Sequence, residues 1–318
     1  MKKQFSNLLF LIATAIWGFA FVAQKAAATI PAFTVGMVRC MLAVIFLLGM
    51  IPLMDRLTKS ERQFSGDFRF NRNELIGGTI LGVLLVVASA LQQIGIEGSD
   101  AGKTAFITAL YVVMVPIISA FLGKKPHLNT IISVPVAVIG FYFLCLGPSV
   151  SLQLSDLLVL LCALVFSVHI ITVDHFSPKC DGMRLSLVQF WVAFILNAVI
   201  ALIFERPIPM GAIVDGILPL LYLGILSSGV GYTLQILAQK DADPTVSSVF
   251  LSLESVFGVI GAAMILGEKM SGREYLGCAI VFIAILLSQI DVFEIIKKLK
   301  KQKQRQLIFT FYTERQKK

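Results

Sequence analysis

Long uninterrupted apolar stretches alternate with short polar or charged segments along the chain. A bilayer core about 30 Å thick takes about 20 apolar residues per helix. Ten segments reach that length, at about 7–25, 33–53, 74–96, 101–122, 128–147, 154–173, 185–204, 214–236, 244–266 and 273–290. They are too long for the strands of a membrane barrel, which run to about 9–11 residues. The pattern predicts an all-α integral membrane protein with ten transmembrane helices, short connections and no soluble domain.

Composition narrows the function classes. Hydrophobic residues make up 57% and charged residues 14% of the 318, against about 45–50% and about 25% in soluble domains. So few charges cannot cover a water-exposed globule. A soluble enzyme, a disordered chain and a nucleic-acid-binding domain are excluded. The net charge of +8 is concentrated at one end: residues 297–318 hold nine Lys/Arg against the single acid Glu314, the whole excess. The body is neutral and the tail is a basic appendage, so nucleic acid is not an expected partner. Anionic lipid is a candidate partner for KKLKKQKQR (297–305), with about 1 kcal/mol per basic residue near the surface; an inert positive anchor is the alternative. Five cysteines without C-x-x-C spacing suggest neither a disulfide framework nor a zinc site. No cofactor is expected. The first span resembles a signal peptide, with Lys2 and Lys3 before an apolar run and Ala26, Ala27 and Ala28 after it, but Trp17, Gln24 and Lys25 fit a retained helix.

Basic residues set the orientation. With the amino terminus inside, the cytoplasmic segments carry Lys2, Lys3, Arg56, Lys59, Arg62, Arg69, Arg72, Lys124, Lys125, Lys179, Arg184, Lys240 and the tail, while the opposite side carries only Lys25, Lys103, Arg206, Lys269 and Arg273. Both termini are expected in the cytoplasm and the chain in a plasma or bacterial inner membrane.

The halves repeat weakly. ITALYVVMVPIISAFLGKKP (107–126) aligns with LSLESVFGVIGAAMILGEKM (251–270), Leu91-Gln92 with Leu234-Gln235, and Arg39 with Gln189. Five spans is an odd number, so two consecutive five-span repeats must have opposite orientations, the architecture of secondary transporters. The expected units are 5–147, 154–292 and the basic tail 293–318.

The same residues carry a family likeness. The chain resembles the drug/metabolite transporter superfamily, in particular its EamA-type ten-helix members, over about residues 5–292. The likeness rests on Ala15-Ile16-Trp17-Gly18, Val38-Arg39, Gln92-Gln93 followed by SDAGKTAFITALYVVMVP (99–116), LLYLGILSSGVGYTLQILAQK (220–240), Leu253-Glu254-Ser255-Val256-Phe257 and Leu266-Gly267-Glu268. The first half departs from it, with Gly123-Lys124-Lys125 where the second has Gly267-Glu268-Lys269. The resemblance implies a secondary carrier, usually an exporter, of small organic solutes such as amino acids, other metabolites or drugs.

Polar groups at membrane depth are expensive and therefore candidates for function. Glu254 sits near the middle of its span, as a proton-coupling or substrate-amine site or as a hydrogen-bonded helix contact. Arg39 lies six residues into its span and either snorkels to the outer interface or binds an anionic group. Gln92, Gln93, Gln235 and Gln239 come from matching helices, with Gln235 and Gln239 on one face; they can orient a polar solute or bond neighbouring helices, and Gln92 and Gln235 are the favoured pair for a site. Trp17, Tyr111 and Tyr232 lie within spans, as packing or as walls of a solute cavity. His169 is a proton relay or a packed histidine, and His127 and His175 lie near span ends. Lys103 begins the fourth span and is expected to reach the outer surface. Small residues at four-residue spacing (Gly78 and Gly82; Ala101, Ala105 and Ala109; Gly258 and Ala262) predict close helix approach. Ser227-Ser228-Gly229-Val230-Gly231 could loosen the eighth span.

A secondary transporter is the leading reading. No G-x-x-x-x-G-K-[ST] loop is present, so uphill transport must draw on an ion gradient or on exchange. A polytopic membrane enzyme would need H-E-x-x-H, G-x-S-x-G or paired intramembrane acids, none of which occurs. A channel is the third reading.

Overall fold

The computed structural model describes residues 2–58, 70–123, 128–145, 153–240 and 244–289. Lys59, Arg62, Arg69, Lys124, Lys125, His127 and the basic tail lie outside them. The described chain is helical: α1 (Lys2–Ala26), α2 (Ala32–Thr58), α3 (Arg72–Glu97), α4 (Ala101–Thr108), α5 (Tyr111–Phe121), α6 (Leu128–Cys145), α7 (Leu154–Phe176), α8 (Gly182–Phe204), α9 (Met210–Asp215), α10 (Ile217–Leu221), α11 (Thr233–Gln239), α12 (Pro244–Gly261) and α13 (Gly272–Gln289). Among the described residues seven segments are long and apolar enough to cross a membrane, and Phe250–Leu266 is a shorter apolar helix. The chain is a multi-pass membrane protein.

The exterior is solvated by lipid rather than water. On α3, Ile76, Ile80, Val83 and Val87 form an exposed apolar stripe, while Leu81, Leu85, Ala88 and Gln92 point inward. Because lipid tails are as apolar as leucine, the interior is selected for close fit and hydrogen bonding instead. Small residues supply the fit. A Cβ on Gly18 of α1 would stand 2.2 Å from the Phe257 Cβ of α12, and one on Gly78 of α3 would stand 2.5 Å from the Val188 Cβ of α8.

Three predicted spans are irregular. The fourth breaks at Ala109 and Leu110, where the backbone ladder tightens: the Leu110 N–H bonds Ile107 O and the Val113 N–H bonds Leu110 O. Pro116, inside α5, lacks the N–H that an unbroken helix would use there. The eighth runs from α10 through a π-helical segment, Tyr222–Tyr232, into α11. The Ser227–Gly231 cluster lies within this π segment of 11 residues. A second π turn, Ala262–Leu266, ends the α12 span.

Neighbour relations pair the halves. α2 lies on α8 and α6 on α13; α3 packs on α7 and α8, while the π segment packs on α1 and α2; α1 packs on α12, as α7 does on α4 and α5. Backbone ends are tied across the halves. At one end, the Glu205 carboxylate accepts from the Phe33 and Thr34 N–H groups at 3.0 and 2.7 Å, and Glu268 accepts from Ala101 and Gly102 at 2.9 and 3.1 Å. At the other, Arg184 bonds Asp55 at 2.6 Å, and Glu74 accepts from the Asp181 N–H at 3.0 Å. Carboxylates at helix amino termini satisfy orphan N–H groups and complement the helix dipole.

Lys103 does not reach the surface as expected. It is buried, and its ammonium pairs with the fully buried Asp156 of α7 at 2.9 Å. Its flexible stem turns inward because a carboxylate is available there, 53 residues further along the chain. Cys40, Cys162, Cys180 and Cys278 are buried free thiols.

Candidate functional site

The centre of the bundle holds a cavity with about 490 Å3 of space unfilled by atoms, part of it open to solvent. One stripe of α1 supplies Trp17, Ala20, Phe21 and Gln24, at the i, i+3, i+4, i+7 spacing of a helix face. Arg39 comes from α2, Gln92 from α3, Thr108 and Tyr111 from either side of the α4–α5 break, and Phe166, His169 and Ile170 from α7. Ser227 and Tyr232 come from the π segment, Gln235 from α11, and Leu251 and Glu254 from α12. Eight of the residues singled out in the sequence, Trp17, Arg39, Gln92, Tyr111, His169, Tyr232, Gln235 and Glu254, therefore face one space.

Its two ionisable poles stand apart. Arg39 is 6% exposed, and its guanidinium donates to Ser228 Oγ at 3.0 Å and Ser227 Oγ at 3.3 Å. It has not snorkelled to an interface. Among the described residues its partners are neutral hydroxyls, and no carboxylate pairs with it. Glu254 is 5% exposed and lies beside the Tyr111 hydroxyl, though that hydroxyl closes no hydrogen bond of good geometry. A buried guanidinium without a counter-ion is costly, so this pole favours an anionic group.

Aromatic rings form the wall between. Trp17 and Tyr232 pack with their rings tilted by 58° and 4.7 Å between centroids, and His169 meets the Tyr232 ring edge-on at 5.8 Å. The Trp17 Nε1–H donates to the Ser227 carbonyl at 3.0 Å. Gly231 makes that possible, since a Cβ there would lie 2.6 Å from Nε1. His169 Nε2 lies 3.1 Å from Gln189 Oε1.

The amides leave polar atoms open. Gln24 Nε2 donates to Gln92 Oε1 at 3.1 Å, and Gln92 Nε2 to Thr108 Oγ1 at 3.2 Å. Gln235 Nε2 donates to Gln239 Oε1 at 2.8 Å. The Gln24 and Gln235 side-chain Oε1 atoms and the Tyr111 hydroxyl have no protein partner. Each such group costs about 1–3 kcal/mol unless a solute or water satisfies it. Gln93 and Gln239 do not line the cavity; they bond Gln24 O and Ile170 O behind it. Gln24, Thr108 and Ser227 line it without having been chosen from sequence. The helical spacing of Gln24 from Trp17 was the available signal for one of them. Among the described residues no cluster of His, Cys, Asp or Glu could hold a metal.

Comparison with known proteins adds a family. The model of the EamA-like transporter family matches residues 4–146 and again 153–289. A protein of Archaeoglobus fulgidus named an uncharacterized transporter is 28% identical over 294 residues, covering 92% of this chain and 88% of that one. Another of that name, from Clostridium kluyveri, is 24% identical over 259 residues, covering 77% and 81%. A protein of known crystal structure superposes with a TM-score of 0.67 over 89% of this chain and 95% of its own, at 15% identity. That last likeness concerns the fold alone.

Proposed function

The chain belongs to the EamA-like transporter family, and we propose that it is a secondary carrier, exporting small polar organic metabolites, amino-acid-like solutes or drugs by alternating access. The observation that carries this reading is the cavity: helices of both halves build it, and it holds Arg39 and Glu254 as separate, unpaired poles. Ten transmembrane helices in two inverted five-helix repeats, 5–147 and 154–292, are the architecture we propose. The interchange of neighbour relations between the halves supports it, as does the double match of the family model. We place the chain in the plasma or bacterial inner membrane with both termini cytoplasmic, from the excess of Lys/Arg on that side. The end bearing Glu205 and Glu268 then faces outward. Glu254, with His169 as a second titratable group, couples transport to protonation or exchange. The tail beyond residue 292 meets anionic lipid, and its truncation abolishes dependence on such lipid without altering flux in neutral bilayers.

The test is reconstitution. A thermal-shift screen on the purified protein selects a solute, and flux of that solute is followed in liposomes. A carrier gives saturable uptake that accelerates when unlabelled solute is loaded on the opposite side. Unsaturable flux without this acceleration would identify a channel, and chemical conversion of the solute an enzyme.

A further inference from the structure

We propose that two glutamine clasps, one at each end of the cavity, are the gates of the passage: Gln24 with Gln92 and Gln93 on one side, and Gln235 with Gln239 on the other. The proposal rests on the carrier reading and adds to it which residues open toward which face.

The clasps run from the cavity in opposite directions. Gln24, Gln92 and Gln235 line it. Gln93 and Gln24 sit near the carboxyl ends of α3 and α1, at the end where the Lys25 ammonium holds the Ile96 and Ser99 carbonyls at 2.9 and 2.7 Å. Gln239 is the last residue of α11, at the opposite end, where Gly182 beside the Asp181 cap packs against Leu237. Each clasp also closes a seam between helices. Gln93 Nε2 donates to Gln24 O at 3.1 Å, and the Gln24–Gln92–Thr108 chain continues from α1 through α3 to α4. Gln239 Nε2 donates to Ile170 O at 3.3 Å and binds α11 to α7.

The chemistry suits a gate. The clasp bonds are between neutral groups, individually weak in a membrane interior, whereas the ties at the bundle ends use carboxylates. A neutral clasp can open without exposing a charge to lipid. Gln24, Gln93 and Gln235 each keep a buried carbonyl oxygen without a partner, so the clasps hold unused acceptors beside the route. Opening one would hand these acceptors to water or to a passing polar solute.

Single cysteines at Gln93, Gln239 and Thr108, each placed in a chain whose own cysteines are replaced by serine or alanine, test the assignment. A membrane-impermeant charged methanethiosulfonate is applied to either face of sealed vesicles. Gln93→Cys should label from one face only, Gln239→Cys only from the opposite face, and Thr108→Cys from both. Labelling of the first two from the same face, or of neither faster than the lipid-facing control Ile80→Cys, overturns the gates while Thr108 still reports a carrier. Labelling of all three from both faces overturns the carrier reading itself. If either of the first pair fails to assemble, Gln93→Ala or Gln239→Ala, which opens its clasp without adding a thiol, should raise labelling of Thr108→Cys from that clasp's face alone, and unchanged labelling overturns that gate.

Discussion

Glu268, in the loop before α13, closes onto Ala101 at the start of α4, with the Ala101 N–H 2.9 Å from its carboxylate. Gly267 brings it there: its backbone is left-handed, with φ of +67°, a conformation that suits glycine. The Gly-Glu pair is thus a turn and a cap acting together. Glu268→Ala should cost about 1 kcal/mol, as loss of a helix cap does, and Gly267→Ala a similar amount from left-handed strain of about 1–2 kcal/mol. Thermal melting in detergent checks both. If Glu268→Ala melts like wild type, the cap contributes nothing. Gly123 shares the turn, with φ of +90°, but Lys124 follows it, so the first half lacks the carboxylate that would complete the pair.

Gly18 marks the tightest crossing of α1 and α12. A methyl group there would meet the Phe257 Cβ at 2.2 Å and the Gly258 N at 2.8 Å, and neither is the movable end of a long side chain. Gly18→Ala should therefore force the helices apart and cost about 1–3 kcal/mol, the usual range for overpacking. The displacement also shifts Trp17 and Phe21 in the cavity wall, so flux should fall together with melting temperature. A substitution that leaves both unchanged would mean that the helices separate freely.

Much of this architecture is legible from sequence because a bilayer imposes strict demands. Every backbone group must be bonded internally, so long apolar runs must be helices, and a polar side chain placed within one needs a reason. That logic selected Arg39, Gln92, Gln235 and Glu254, and the structure gathers them around one space. Periodicity fails where the helix itself is irregular. In the apolar run 101–122 only Pro116 hints at an irregularity, and it does not fix the break at Ala109 and Leu110; the extent of the π segment exceeds the glycine and serine cluster that hints at it. Thr108 escapes notice because hydroxyls are commonly satisfied by their own helix, and Ser227 stands out in the sequence only as part of the serine and glycine cluster of the eighth span. Lys103 is misplaced because charge near a span end reads as an interface, whereas its partner Asp156 is distant in sequence.

That pair makes a separate prediction. Lys103 and Asp156 are both buried, and one Asp156 oxygen already lacks a hydrogen bond. Removing one member leaves an uncompensated charge, which typically costs about 3–5 kcal/mol, whereas replacing both by apolar groups can be neutral. Lys103→Met should lower the melting temperature sharply, and Lys103→Met with Asp156→Leu should recover most of it. A double variant no better than the single would show that the two residues act independently.

Glu254 carries the strongest functional prediction. Its carboxyl faces the cavity with Tyr111 beside it and no cation paired to it among the described residues. A carboxyl in that setting can release a proton when the cavity opens to water on one side and recover it on the other, or exchange the proton for a cationic group on the solute. Glu254→Gln keeps the size and much of the hydrogen bonding but removes titration. In liposomes, flux driven by a pH gradient should collapse in this variant while solute exchange partly survives, because exchange needs the cavity but not the proton. If Glu254 were only a helix contact, the variant would transport with the pH profile of wild type. Measuring both modes on one preparation separates a lost coupling step from a lost fold, since a misfolded carrier loses exchange as well. Full pH-driven uphill flux in Glu254→Gln would remove Glu254 from the coupling cycle and leave His169 to be tested in its place.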